Sequence, residues 1–190
     1  MADDDALSEH RRVVRDVVDE VRRLPVVDDH ATGDELRRRR AVLRRLRTAF
    51  VAHATAAERH VWRAARRRFP HESSAIDEAL QRKVSAEHNM VKLQWFGDRD
   101  ELRNPHVAEL VDCIERYLTS EQRIAARLHD AMTLSERDAF ARDVAHELRR
   151  APTRPHPDLP STPWLSVVLA PVVALVDRAR DLLDPLETGP

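Results

Sequence analysis

Ten histidines stand among the 190 residues of this chain, against a single cysteine, Cys113. His10, His53 and His88 each fall among apolar residues that recur at helical spacing. One inward histidine from each of several helices can converge on a metal ion in the interior of a helical bundle. Imidazole together with carboxylate suits iron, zinc or manganese. A lone thiol excludes an internal disulfide and any site built from several cysteines. Other chemical signatures are missing from the sequence. It has no Glu-x-x-His pair of the ferritin type, no His-Glu-x-x-His, no glycine-rich phosphate loop and no Gly-x-Ser-x-Gly turn.

The elements that must position these histidines are helices. Leu7, Val14, Val17, Val18, Val21 and Leu24 mark a first helix, which Pro25 ends. Ser8 or one of the leading aspartates is its expected N-cap. The spacing predicts a second helix over about 34–68, stopped by Pro70, and a third over 74–96, ended by Gly97-Asp98. A fourth is expected over 105–132. A shorter fifth, capped by Thr133 or Ser135, runs to about residue 149. Four long amphipathic helices with short loops read as an all-α, up-down-up-down four-helix bundle over 1–150. Residues 151–163 carry five prolines, Pro152, Pro155, Pro157, Pro160 and Pro163, and read as an extended linker. The segment 164–183 is expected to form a C-terminal helical tail that packs on the bundle or on a second copy, making a homodimer.

Composition agrees with a helical reading. Three glycines and 4% aromatic residues argue against a strand-rich barrel or sandwich. The 32 basic and 33 acidic side chains leave a formal charge of −1, which disfavours a general nucleic-acid binder. The arginine runs Arg37 to Arg40 and Arg66 to Arg68 read as solvated helix faces. Only Lys83 and Lys92 are lysines. The acidic N-terminus is unlike a signal peptide, and the apolar run 164–176 is too short to span a bilayer and is broken by Pro171. A cytoplasmic protein without membrane insertion is the expectation.

Four segments resemble the hemerythrin-like HHE cation-binding family in its actinobacterial form. Glu9-His10-Arg11-Arg12-Val13-Val14-Arg15-Asp16 is similar to the family's opening helix. His53 to Trp62, with Glu58 and His60 between them, is similar to its second motif, and Ala86-Glu87-His88-Asn89-Met90 to its third. Arg116-Tyr117-Leu118-Thr119-Ser120-Glu121 aligns with its fourth. The proline-rich tail, with Val176-Asp177-Arg178-Ala179-Arg180, resembles that of many actinobacterial members. The resemblance implies a four-helix bundle holding non-haem di-iron, with terminal histidines, two bridging carboxylates and a position open to dioxygen, nitric oxide or peroxide. It implies a binding or sensing protein rather than a turnover enzyme. The ligands it implies here are His10, His53, His88 and Glu121.

Two departures from the family pattern alter that expectation. The second motif's carboxylate belongs four residues after His53, where this chain has Ala57; Glu58 follows one residue later. On a regular α-helix Glu58 lies roughly 140° around from His53, so it can bridge only if the helix is locally distorted. The fourth motif has Tyr117 where a histidine is expected, and a phenol with a free pKa near about 10 is a poor ligand for a ferrous site. His60, seven residues after His53, falls on nearly the same face as a substitute ligand, displaced by about 10 Å along the axis. The expected site is therefore altered. It holds two irons, one metal through His10, His53 and Glu121 with or without His88, or none. In the last case the chain is a helical interaction module that has kept the fold.

Overall fold

The computed structural model describes residues 6–28, 30–95 and 103–150. The expected linker and tail at 151–190, and the dimer contact assigned to them, lie outside the described residues. Every regular element among the described residues is helical. They form five rods: α1 (Ala6–Arg22), a second rod in three parts, α4 (Ser73–Trp95), α5 (Arg103–Asp130) and α6 (Leu134–Arg150). The second rod comprises α2 (Gly33–Ala57), a π-helical turn (Glu58–Trp62) and α3 (Arg63–Arg68). A short 3-10 turn, Pro70–Glu72, leads into α4.

Each rod is built around an apolar stripe. On α1 the buried positions are Leu7, Arg11, Val14, Val17, Val18 and Val21, spaced by three and four. The second rod contributes Val42, Leu46, Phe50, Val61 and Trp62, and α5 contributes Leu110, Ile114, Tyr117, Leu118, Ile124 and Leu128. Helix α1 packs on α2, and α4 packs on α5. Both pairs run antiparallel, since Glu20 meets Arg45 while His10 meets His53, and Arg82 meets Ser120 while Asn89 meets His106. Helix α6 lies against α1, α2 and the π-turn.

The helix ends follow local chemistry. Thr32 Oγ1 accepts from the Glu35 backbone N–H at 3.3 Å, and Glu35 Oε2 accepts from the Thr32 N–H at 2.7 Å. This reciprocal box satisfies two donors that the helix leaves free, and it starts the helix one residue before Asp34. Thr133 and Glu136 repeat it at α6 with distances of 3.3 and 2.7 Å, so Thr133 rather than Ser135 is the cap. The connection after α1 is held by Asn104. Its Oδ1 accepts from Arg39 Nη2 at 2.8 Å, and its Nδ2 donates to the Val27 carbonyl at 2.9 Å. Arg39 also donates to the Pro25 carbonyl at 2.8 Å.

The second rod departs from the uninterrupted α-helix expected over 34–68. From Glu58 the backbone follows i→i+5 hydrogen bonding, which adds a residue to the turn. Everything after it is rotated by about one residue's 100° relative to a straight α-helix.

Candidate metal centre

The interior of the rods holds several polar side chains, and two clusters of them contain the expected ligands. The first joins α1, α2 and α5. His10 and His53 stack with ring centroids 5.9 Å apart and an interplanar angle of 11°. His53 is wholly buried, and so is Glu121. Nε2 of His53 lies 3.4 Å from Oε2 of Glu121, within reach of its charge but not in hydrogen-bonding geometry. The ring nitrogens Nδ1 of His10 and both Nδ1 and Nε2 of His53 are buried without a hydrogen-bond partner among the described residues. Buried polar atoms are paired in the great majority of cases, so three unpaired imidazole nitrogens beside a carboxylate need an explanation.

Arg11 completes this cluster. Its Nε donates to Glu121 Oε2 at 2.6 Å and its Nη2 to Oε1 at 3.0 Å, a two-pronged pair closed off from water. Burial pushes the Glu121 carboxyl up, but His53 and Arg11 outweigh it and hold the carboxyl below its ordinary range. Burial, with the neighbouring His53, drives the His10 imidazole down to about 4, so His10 is neutral at pH 7. A neutral imidazole offers a lone pair, the form a metal requires.

The second cluster joins the π-turn to α4. Lys83 Nζ sits 2.8 Å from Glu58 Oε2 and 3.4 Å from Glu87 Oε1. Burial pulls the Lys83 ammonium down, but Glu87 and Glu58 more than compensate and raise it. Tyr117 is fully buried nearby and accepts a hydrogen bond from Trp62 Nε1 at 3.0 Å. Phe50 packs edge-on against Tyr117, with ring centroids 5.6 Å apart. Burial raises the Tyr117 phenol well above its ordinary value, and Glu121, Glu58 and Glu87 push the same way. A phenol so disfavoured as phenolate is a poor metal ligand.

The structure brings together His10, His53 and Glu121, and sets the other four expected ligands apart. His88 is exposed on α4. The buried residues of that helix are Ile76, Ala79, Ala86, Glu87, Asn89, Met90 and Leu93, and His88, between Glu87 and Asn89, turns outward. The inward position belongs to Glu87. His60 does not share the face of His53. The extra residue of the π-turn rotates it toward α6, where its ring packs edge-on to Phe140 at 6.3 Å. Glu58 is paired with Lys83, and Tyr117 with Trp62.

Three participants were not read as interior residues from sequence. Arg11 occupies a position on the stripe of α1 between Leu7 and Val14, and Lys83 lies seven residues after Ile76 and seven before Met90. A charged residue on an apolar stripe is the signal that would have found both. Trp62 depends on the π-turn, which spacing does not announce. Cys113 is half-buried, and burial, Glu109 and Asp112 raise its thiol, the opposite of an activated cysteine.

The two halves of a di-metal centre fare differently when tested against these residues. The unpartnered nitrogens of His10 and His53, with Glu121 beside His53, are the donors that one cation would use. A second cation does not fit, because Glu58 and Glu87 already face an ammonium and His88 points away. Among the described residues no group of three or more His, Cys, Asp or Glu is placed to hold a metal ion. Two surface hollows, one lined by Pro25 to Asp28 and Arg39, the other by Val21, Leu24 and Val111, lie at the loop end; His10, His53 and Glu121 line neither. No helix among the described residues is long and apolar enough to cross a membrane. Comparison of the chain with protein-family models, with curated proteins and with solved structures finds no match.

Proposed function

We propose that this chain is a hemerythrin-like protein whose di-metal centre is reduced to a site for one cation. In this reading α1, the second rod, α4 and α5 form the up-down-up-down bundle, and α6 is an addition to its side. One observation carries the proposal: two stacked imidazoles, His53 buried and His10 half-buried, with unpartnered nitrogens beside a buried carboxylate. His10 and His53 would hold the ion through nitrogen, and Glu121 would neutralise its charge once released by Arg11. A non-haem iron held there supplies reversible coordination of dioxygen, nitric oxide or peroxide. The complete burial of His53 and Glu121 leaves no surface there for a bulky substrate, which favours a binding or sensing role over turnover.

A second reading rests on a different observation. Arg11 satisfies Glu121 in two-pronged fashion, which suits a metal-free helical module that has kept the fold. Elemental mass spectrometry separates the two readings, using tag-free protein expressed with added iron and purified without chelator. The cation reading expects about one iron or zinc per chain, lost in His53→Ala and Glu121→Gln and kept in His60→Ala and His88→Ala. Protein carrying no metal above background would overturn it in favour of the metal-free module.

A further inference from the structure

Arg11 holds the same oxygen that an incoming cation would use. Its Nε donates to Glu121 Oε2 at 2.6 Å and its Nη2 to Oε1 at 3.0 Å, so both carboxylate oxygens are taken. Oε2 is also the oxygen 3.4 Å from the unpartnered Nε2 of the wholly buried His53. Two donors on one tetrahedral zinc stand about 3.4 Å apart, given bonds of about 2.1 Å. His10, the other imidazole of the cluster, is neutral at pH 7 and brings no charge. Arg11 therefore already balances Glu121. A divalent ion added beside that pair is excess positive charge in an interior that screens it poorly.

The guanidinium has a route out. Its Nη1 already reaches toward Ser8 Oγ at 3.4 Å, one turn earlier on α1. Ser8 is half-buried, and Glu9 and Arg12 around it are exposed. An arginine can keep its methylene stem packed while its head group reaches water. We propose that Arg11 is a competitive latch on the cation site: guanidinium and ion exclude each other at Glu121, and ion entry turns Arg11 outward past Ser8 to the surface of α1. The inference rests on the one-cation reading. It adds how the empty site stays charge-balanced and how a filled one is signalled outside: a buried ion is exchanged for an exposed cationic side chain.

The test is Zn(II) titration of the full chain in competition with a chromophoric chelator, with NMR of arginine Nε–H groups on the same samples. The Nε–H of Arg11, held in a dry pair, should exchange slowly with water, and its signal is assigned by its loss in Arg11→Met. Zinc is expected to abolish that signal in the parent. Arg11→Met should bind Zn(II) about 10- to 100-fold more tightly than the parent, because a coupled competitor is gone. Arg11→Met/His53→Ala should lose the gain. If Arg11→Met does not fold alone, Zn(II) should restore its helical circular dichroism by taking over as the counter-charge of Glu121. A parent that takes no zinc while Arg11→Met takes one His53-dependent ion also supports the latch. Equal affinities in parent and Arg11→Met, or a slow Arg11 signal that survives in zinc-loaded parent, would overturn the latch and leave the one-cation reading standing. If neither the parent nor folded Arg11→Met binds zinc beyond Arg11→Met/His53→Ala, or if zinc does not rescue unfolded Arg11→Met and the parent binds none, both fall together.

Discussion

Arg11 and Glu121 show what a single buried pair does for this molecule. Both are closed to water, and each is the other's main partner. Removing one leaves an uncompensated charge, which costs about 3–5 kcal/mol, whereas replacing both by apolar groups of similar volume is close to neutral. Arg11→Met should therefore lower the urea midpoint sharply, and Arg11→Met/Glu121→Leu should recover most of the loss. Equal midpoints for Arg11→Met and the parent would mean that the pair is open to solvent. His10 gives a pH signature of its own. Its folded pKa is about 4 against an ordinary 6.5. Between those values the unfolded chain binds a proton that the folded chain does not, so stability falls as pH drops from about 6.5 to about 4 and is fully present above that window. Urea unfolding at pH 7, 6 and 5 should show this slope, flattened in His10→Gln. Glu121 acts lower on the scale: its depressed carboxyl contributes stability that is lost as pH falls below its ordinary 4.5.

The rods were legible in the sequence because apolar spacing is a property of the chain alone. The ends of α1 and α5 and the cap at Thr133 follow from Pro25, Pro105 and local hydrogen bonding. The π-turn was not legible. It accompanies a contact between Trp62 and Tyr117 across two rods, which no local pattern encodes. The site shared that fate. His10 and His53 were readable from spacing, but His88 was misplaced by one position, and a helix turns 100° per residue, enough to move a side chain from interior to solvent. Asn104 is the element-scale counterpart of Arg11. It serves both Arg39 and the backbone of Val27, so Asn104→Ala removes the fastening of the loop after α1. The expected cost is about 1–3 kcal/mol for the groups left unpaired. Hydrogen exchange should quicken first at Arg23 to Asp28, and quickening spread evenly over all the rods would contradict that.

At the scale of the whole molecule, α6 lies against the second rod, where His60 meets Phe140 and Arg59 meets Glu147. His53 sits in the interior with His10 half-buried against it, and two surface hollows lie away from them at the loop end. The two interior carboxylate groups carry their own counter-charges, Arg11 on one and Lys83 on the other. A chain that supplies its own cations does not need a metal in order to fold. In an iron-starved cell it would persist as a folded protein instead of being cleared as an unfolded one. Under the proposed one-cation reading its abundance would then carry no news of the iron supply, and only the fraction of chains filled would rise and fall with it.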